Sequence, residues 1–128
     1  MVTAISQGIK ISVETMFQEE YSNPANEQFM FAYRIEIENL SDYTIQLLRR
    51  QWHIFDSNGT LKEVEGEGVV GVQPVLEPGQ MHAYVSGCQI TTDIGSMRGN
   101  YSMIRVADET PFTVDIPEFP LIVPYRLN

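Results

Sequence analysis

Strict alternation of apolar and polar side chains constrains this chain more than any other feature. Ile9, Ile11, Val13 and Thr15 share one parity while Lys10, Ser12 and Glu14 hold the other, which is the period-two signature of a half-buried strand. Phe29, Phe31, Tyr33, Ile35 and Ile37 repeat the pattern against Met30, Ala32, Arg34, Glu36 and Glu38, and the second face turns charged only towards its end. The next segment breaks phase. Ile45 and Leu47 share one parity, whereas Leu48, Trp52 and Ile54 share the other. One extra residue at positions 47–49, a β-bulge, lets both sets face one core. Trp52 then falls on a middle strand, where it plugs the space between two sheets.

The remaining segments read as short strands between turn signals. Asp56-Ser-Asn-Gly59 marks a hairpin, because Asn-Gly supplies the positive φ values of a tight turn. A short strand is expected over 61–65, a Gly- and Pro-rich stretch over 66–78, and extended chain over 80–86. Positions 87–99 read as a long irregular connection, 100–106 as a strand, and 107–111 as a turn. Phe112, Val114 and Ile116 alternate once more before a tail with Pro117, Pro120 and Pro124. The polar segment 18–27, with Pro24, reads as a loop. No stretch of ten or more residues holds helical apolar spacing free of Gly and Pro, and no internal repeat occurs. With 128 residues, one domain over 1–128 is expected. The pattern predicts an all-β sandwich of about 7–9 antiparallel strands, of immunoglobulin or fibronectin type III kind. The single cysteine, Cys88, excludes an internal disulfide and favours the fibronectin-like variant.

Charge and hydropathy narrow the function classes. Eight basic against 17 acidic residues give a net charge of −9, which counts against nucleic-acid binding. The longest apolar run, Phe29 to Tyr33, is far too short for a membrane helix. No secretory signal is visible at the N-terminus, and a lone cysteine suits a reducing compartment, so a cytoplasmic location is expected. The N-x-S/T sequons at Asn39, Asn58 and Asn100 then read as turn chemistry.

Gly66-Glu-Gly68-Val-Val-Gly71 is a literal G-x-G-x-x-G. In a dinucleotide site such glycines precede a helix whose N-terminal amides receive pyrophosphate. Here Pro74 and Pro78 preclude the helix and Glu63, Glu65 and Glu67 oppose an anion. The glycines therefore read first as a tight, closely packed loop and second as a backbone anion nest. The three glutamates alternate onto one face. They form either a solvated edge that discourages aggregation or a ligand set for a divalent cation. Cys88, His82 and His53 lack nucleophile or zinc spacing, and no carboxylate pair sits in an apolar context. No catalytic residue, and no cofactor, is expected.

The run Gly66-Glu-Gly68-Val69-Val70-Gly71-Val-Gln73-Pro74, followed by Pro78-Gly79, Tyr84-Val-Ser86-Gly87 and Gly95-Ser-Met97-Arg-Gly99-Asn-Tyr101, resembles the signature of the ApaG family, also called CorD in bacteria. Leu47-Leu-Arg-Arg-Gln-Trp52 and positions 56–59 fit as well, so the resemblance covers nearly the whole chain. It implies a fibronectin type III-like sandwich and a cytosolic protein linked to cobalt tolerance and magnesium efflux. It also implies genes beside a diadenosine tetraphosphate hydrolase and an rRNA adenine methyltransferase, and a domain used for protein interaction in eukaryotic F-box and polymerase-interacting proteins. The family's glycine motif has prompted a pyrophosphate-binding reading, carried here by Gly66, Gly68 and Gly71. The expected function is a non-enzymatic protein-binding module. Its contact surface is placed on the 66–74 loop (Gly66, Gly68, Val69, Val70, Gly71, Gln73, Pro74) and the adjoining 86–99 connection (Ser86, Gly87, Gly95, Gly99). The alternative is a nucleotide-polyphosphate or divalent-cation binder, the cation held by Glu63, Glu65 and Glu67. Free edge strands also make an edge-to-edge homodimer an expected partner state.

Overall fold

The computed structural model describes residues 1–127; Asn128, the last residue of the expected 1–128 domain, lies outside the described residues. Nine strands run in the order β1 (Val2–Ser6), β2 (Ile9–Phe17), β3 (Phe29–Asn39), β4 (Ile45–Asp56), β5 (Leu61–Glu67), β6 (Val75–Leu76), β7 (Met81–Ile90), β8 (Ile94–Arg105) and β9 (Thr110–Ile122). Helical structure among the described residues is confined to three short 3-10 turns, two of them in the polar 18–27 segment. All pairings are antiparallel. One sheet has the order β1-β2-β3-β7 and the other β5-β4-β8-β9, with β6 alongside the start of β4. The chain is an all-β sandwich.

The alternation read from sequence becomes the inner faces. Ile9, Ile11, Val13, Phe31, Ile35 and Ile37 from the first sheet meet Ile45, Leu47, Trp52, Met97, Tyr101 and Phe119 from the second in one buried cluster. Trp52 packs edge-on against Tyr33 at 5.5 Å and Phe119 at 5.8 Å between ring centroids, a favoured aromatic geometry. The β4–β8 register slips between Leu47 and Arg49, leaving Leu48 as the extra residue. The phase break is a bulge, and it keeps both halves of β4 facing the core.

Three expectations need correction. First, β5 continues to Glu67, so Gly66 is a strand residue. Second, the irregular connection at 87–99 is absent: β7 runs through Ser86, Gly87 and Cys88, and β8 begins at Ile94. A turn at 91–93 replaces it, clamped by Asp56. One Asp56 carboxylate oxygen accepts from the Thr91 amide and hydroxyl, both at 2.7 Å; the other accepts from the Thr92 amide at 3.1 Å and the Thr92 hydroxyl. Third, β9 passes through Pro117 and Pro120. It lies at the edge of its sheet and carries a register irregularity opposite positions 97–99, a setting where a missing N–H is tolerated.

The two long sides of the sandwich differ. On one, β1 and β9 meet, and the Asp115 amide donates to the Ser6 hydroxyl at 3.3 Å. On the other, β7 and β5 are free edges facing each other across a gap.

Candidate functional site

The glycine loop is built on the bulge of β4. The bulged residue's carbonyl, Leu48 O, accepts from the Gly68 amide at 2.8 Å and from Gln73 Nε2 at 3.0 Å, and the Leu47 amide donates to Pro74 O at 3.1 Å. Between these anchors Val69 and Val72 exchange both backbone hydrogen bonds, at 2.8 and 3.2 Å. Val70 and Gly71 form the turn with φ of 47° and 80°, the two left-handed residues of a type I′ hairpin. A β-branched residue rarely adopts that conformation. Val69 is fully buried, whereas Val70 is 61% exposed at the tip beside exposed Val72. Gly68 has φ of 63°, and a Cβ there would lie 2.3 Å from Val72 O. The loop is thus a packed hairpin with an apolar tip.

The other expected contact residues do not gather in a loop. Ser86 and Gly87 lie in β7, and Gly95 and Gly99 lie in β8. Added Cβ atoms would approach Phe55 O to 2.5 Å at Gly95 and Gln51 O to 2.1 Å at Gly99, so these two glycines let neighbouring strands close. Glu63, Glu65 and Glu67 do share the outer face of β5, but they stand opposite His53, Gln51 and Arg49 of β4. Glu63 lies 3.4 Å from His53 Nδ1 and Glu67 lies 3.9 Å from Arg49. Among the described residues no three His, Cys, Asp or Glu side chains converge as a metal site. Cys88 is buried, and burial pushes its thiol up to about 11, which leaves it protonated and a poor nucleophile at neutral pH.

Two cations that are not among the expected site residues occupy the open side. After the bulge, Arg50 has the parity of Trp52 and Ile54, and Lys62 has that of Val64 and Gly66. Both line a cavity of about 280 Å³ between β5 and β7, together with Tyr33, Trp52, Ser86 and Cys88. A second hollow of about 450 Å³ shares Ile54, Lys62 and Gln89 with it and continues towards Thr91, with Glu27 and Asp56 in its wall. Together they form one groove along β7. Arg50 Nη1 donates to the carbonyls of Glu67 and Gly68, both at 3.0 Å. A Cβ on Gly66 would lie 2.9 Å from that nitrogen, so the first motif glycine makes room for the guanidinium.

Sequence and fold both have relatives among known proteins. The model of the ApaG domain matches residues 19–105. Proteins ApaG of Brucella canis and Methylobacterium radiotolerans are 44% and 45% identical to the chain, covering 97% and 98% of it and 95% of each relative. The chain belongs to the ApaG domain family. A Bordetella pertussis protein named ApaA has a crystal structure that superposes with a TM-score of 0.87 at 40% identity, over 91% of this chain and 94% of that one. A structural-genomics X-ray structure gives 0.89 at 34% identity, over 98% and 94%. The matched ApaG span contains the hairpin tip, the bulge and both groove cations, while β1, β2 and β9 lie outside it.

Proposed function

We propose that this ApaG-domain chain is a non-enzymatic protein-binding module whose contact surface centres on the hairpin tip of the glycine loop. The observation that carries this reading is the display of Val70 and Val72, 61% and 47% exposed, on a backbone fixed to the bulge of β4. Apolar side chains on a rigid protrusion suit a pocket on another protein, since little conformational freedom is lost on docking. The loop's polar groups favour this over an anion nest. The amides of Gly68, Val69 and Val72 are hydrogen-bonded within the protein, and the neighbouring Arg50 donates to two loop carbonyls. The implied link to cobalt tolerance and magnesium efflux would run through such a cytoplasmic partner, without bound nucleic acid, cation or cofactor. The homodimer expected from free edge strands would use a strand edge in place of the hairpin tip.

Gly68→Val is a poor test, because its side chain would collide with Val72 O. Val70→Asp leaves the buried loop residues untouched. Proteins retained by the full chain from the source cell are identified and purified, then titrated against both forms. The variant is expected to keep the native circular dichroism spectrum and to lose at least tenfold in affinity, about 1.4 kcal/mol. Unchanged affinity for every retained protein would remove the tip from the interface. Calorimetry with diadenosine tetraphosphate plus Mg²⁺ is expected to show no binding tighter than about 1 mM; a micromolar isotherm would replace the proposal with the nucleotide reading.

A further inference from the structure

The strand β7 is unlike the other edges. Its ten residues, MHAYVSGCQI, contain no Asp, Glu, Lys, Arg or Pro, and it pairs with β3 alone. Natural edges are normally blunted by charge, proline, a bulge or a cover. The edge β1 is met by β9, β9 carries prolines and an irregularity, and β5 carries Lys62 and three glutamates. Among the described residues β7 has none of these devices. The residues of its outward parity, Met81, Ala83, Val85, Gly87 and Gln89, are all exposed.

We propose that the free edge of β7 receives an extended segment of a partner protein as a fifth strand of the first sheet, and that this segment carries an acidic side chain on its inward face to meet Arg50 and Lys62. A strand added to β7 lies about 4.8 Å beyond it, and alternate side chains point to opposite faces. Its inward side chains enter the groove between β7 and β5, lined by Trp52, Ile54 and Val64 and by the two cations. Its outward side chains pass beside Val85. Main-chain hydrogen bonds supply affinity and the groove supplies selectivity, as in other strand-addition complexes. The charge of the occupant follows from the part of the groove beside Trp52. In a chain of net charge −9, the inner wall there presents Arg50 and Lys62, whereas Glu27 and Asp56 line the far end. The acidic side chain therefore belongs beside Trp52. Arg50 is held by Nη1, and its Nη2 and Nε groups have no acceptor among the described residues. A second copy fits less well, because its own β7 brings no acidic side chain to these cations.

The inference rests on the protein-binding reading but uses a different surface, so the two fail separately. The test is selection of a randomised short-peptide display library against the full chain at low salt. Selected peptides are then titrated against the wild type and against Lys62→Glu, Val85→Lys and Val70→Asp. Lys62 and Val85 are exposed, so neither substitution empties the core. Expected are peptides alternating apolar residues with one Asp or Glu, and new hydrogen-exchange protection of amides within 81–90 on binding. Lys62→Glu and Val85→Lys are each expected to weaken binding by tenfold or more, with Val70→Asp unchanged. Four results would overturn the proposal. They are no selected peptide, selected peptides without an acid, loss of binding in Val70→Asp but not in Val85→Lys, and a concentration-dependent dimer in sedimentation that Val85→Lys dissolves. Competition of a bound peptide by inorganic phosphate alone, without a change in 81–90 protection, would likewise reassign the groove to a small anion.

Discussion

The strands β5 and β7 flank the same open side of the sandwich, yet their sequences treat the exposed edge in opposite ways. β5 reads LKEVEGE and sets Glu63, Glu65 and Glu67 on its outer face, whereas β7 reads MHAYVSGCQI with no formal acid or base. Both carry interior residues on the alternate parity, so the difference lies entirely in what is offered to an approaching strand. Carboxylates in a row repel a like edge and must be desolvated by any other. The uncharged edge imposes no such cost. On the strand-addition proposal, one side of the fold is closed to self-association at one strand and left open to a partner at its neighbour.

The largest disturbance of this comparison would come from beneath it. Trp52 forms part of the groove floor and contacts both Tyr33 of the first sheet and Phe119 of the second. Trp52→Ala is expected to cost about 3–5 kcal/mol in urea unfolding, the usual range for emptying a buried aromatic site. A loss below about 1 kcal/mol would mean that the groove floor stands without it, and that β5 and β7 are positioned independently of the core.

Alternation made much of this legible. The phase break between Leu47 and Leu48 required a bulge, and the bulge is present because apolar side chains on both halves of β4 must reach one core. Glycine and proline misled where tertiary packing governed. Gly95 and Gly99 resemble loop residues, but they lie in β8, at positions where a side chain would meet the β4 backbone. Asp56 looks like a hairpin residue, and its more consequential contact, with Thr91 and Thr92, is 35 and 36 positions away, beyond any local pattern. Of the candidate site, the tight loop was readable from Gly66, Gly68 and Gly71. The groove left one signal in the sequence: once the bulge is placed, Arg50 has the parity of Trp52 and Ile54. A cation on the core parity of a strand next to a sheet edge marks an opening.

The far end of β7 supplies the next test. Burial pushes the Asp56 carboxyl upward, but the hydrogen bonds from Thr92 and Thr91 outweigh it and hold the group below the usual carboxylate range. A carboxyl with a lowered folded-state pKa stabilises the protein above its unfolded value, about 3.9, and loses that contribution as pH falls through the folded value. Thermal unfolding of the wild type is therefore expected to show a stability loss below about pH 4 that Asp56→Asn lacks. At pH 7 the variant is expected to be less stable by about 2 kcal/mol, the scale of hydrogen bonds to a charged group. Equal acid limbs in the two proteins would show that this clamp does not hold the β7–β8 turn.

The smallest effect on stability separates the two edges most directly. Glu63, Glu65 and Glu67 are exposed, and the Arg49–Glu67 pair at 3.9 Å has side chains 51% and 78% accessible. Pairs of this kind contribute little and are screened by salt. Replacing all three glutamates by glutamine is therefore expected to change unfolding free energy by no more than about 0.5 kcal/mol. Association should respond far more, because β5 then loses the charges that distinguish it from β7, and the net charge falls from −9 to −9 + 3 = −6. Sedimentation of the triple variant is expected to show concentration-dependent self-association that persists when Val85→Lys is added, since the new contact runs along β5. A monomer at every concentration would show that the carboxylates are not what keeps β5 from pairing. Self-association abolished by Val85→Lys would place the contact on β7 instead, and the contrast between the edges would then rest on total charge rather than on where it sits.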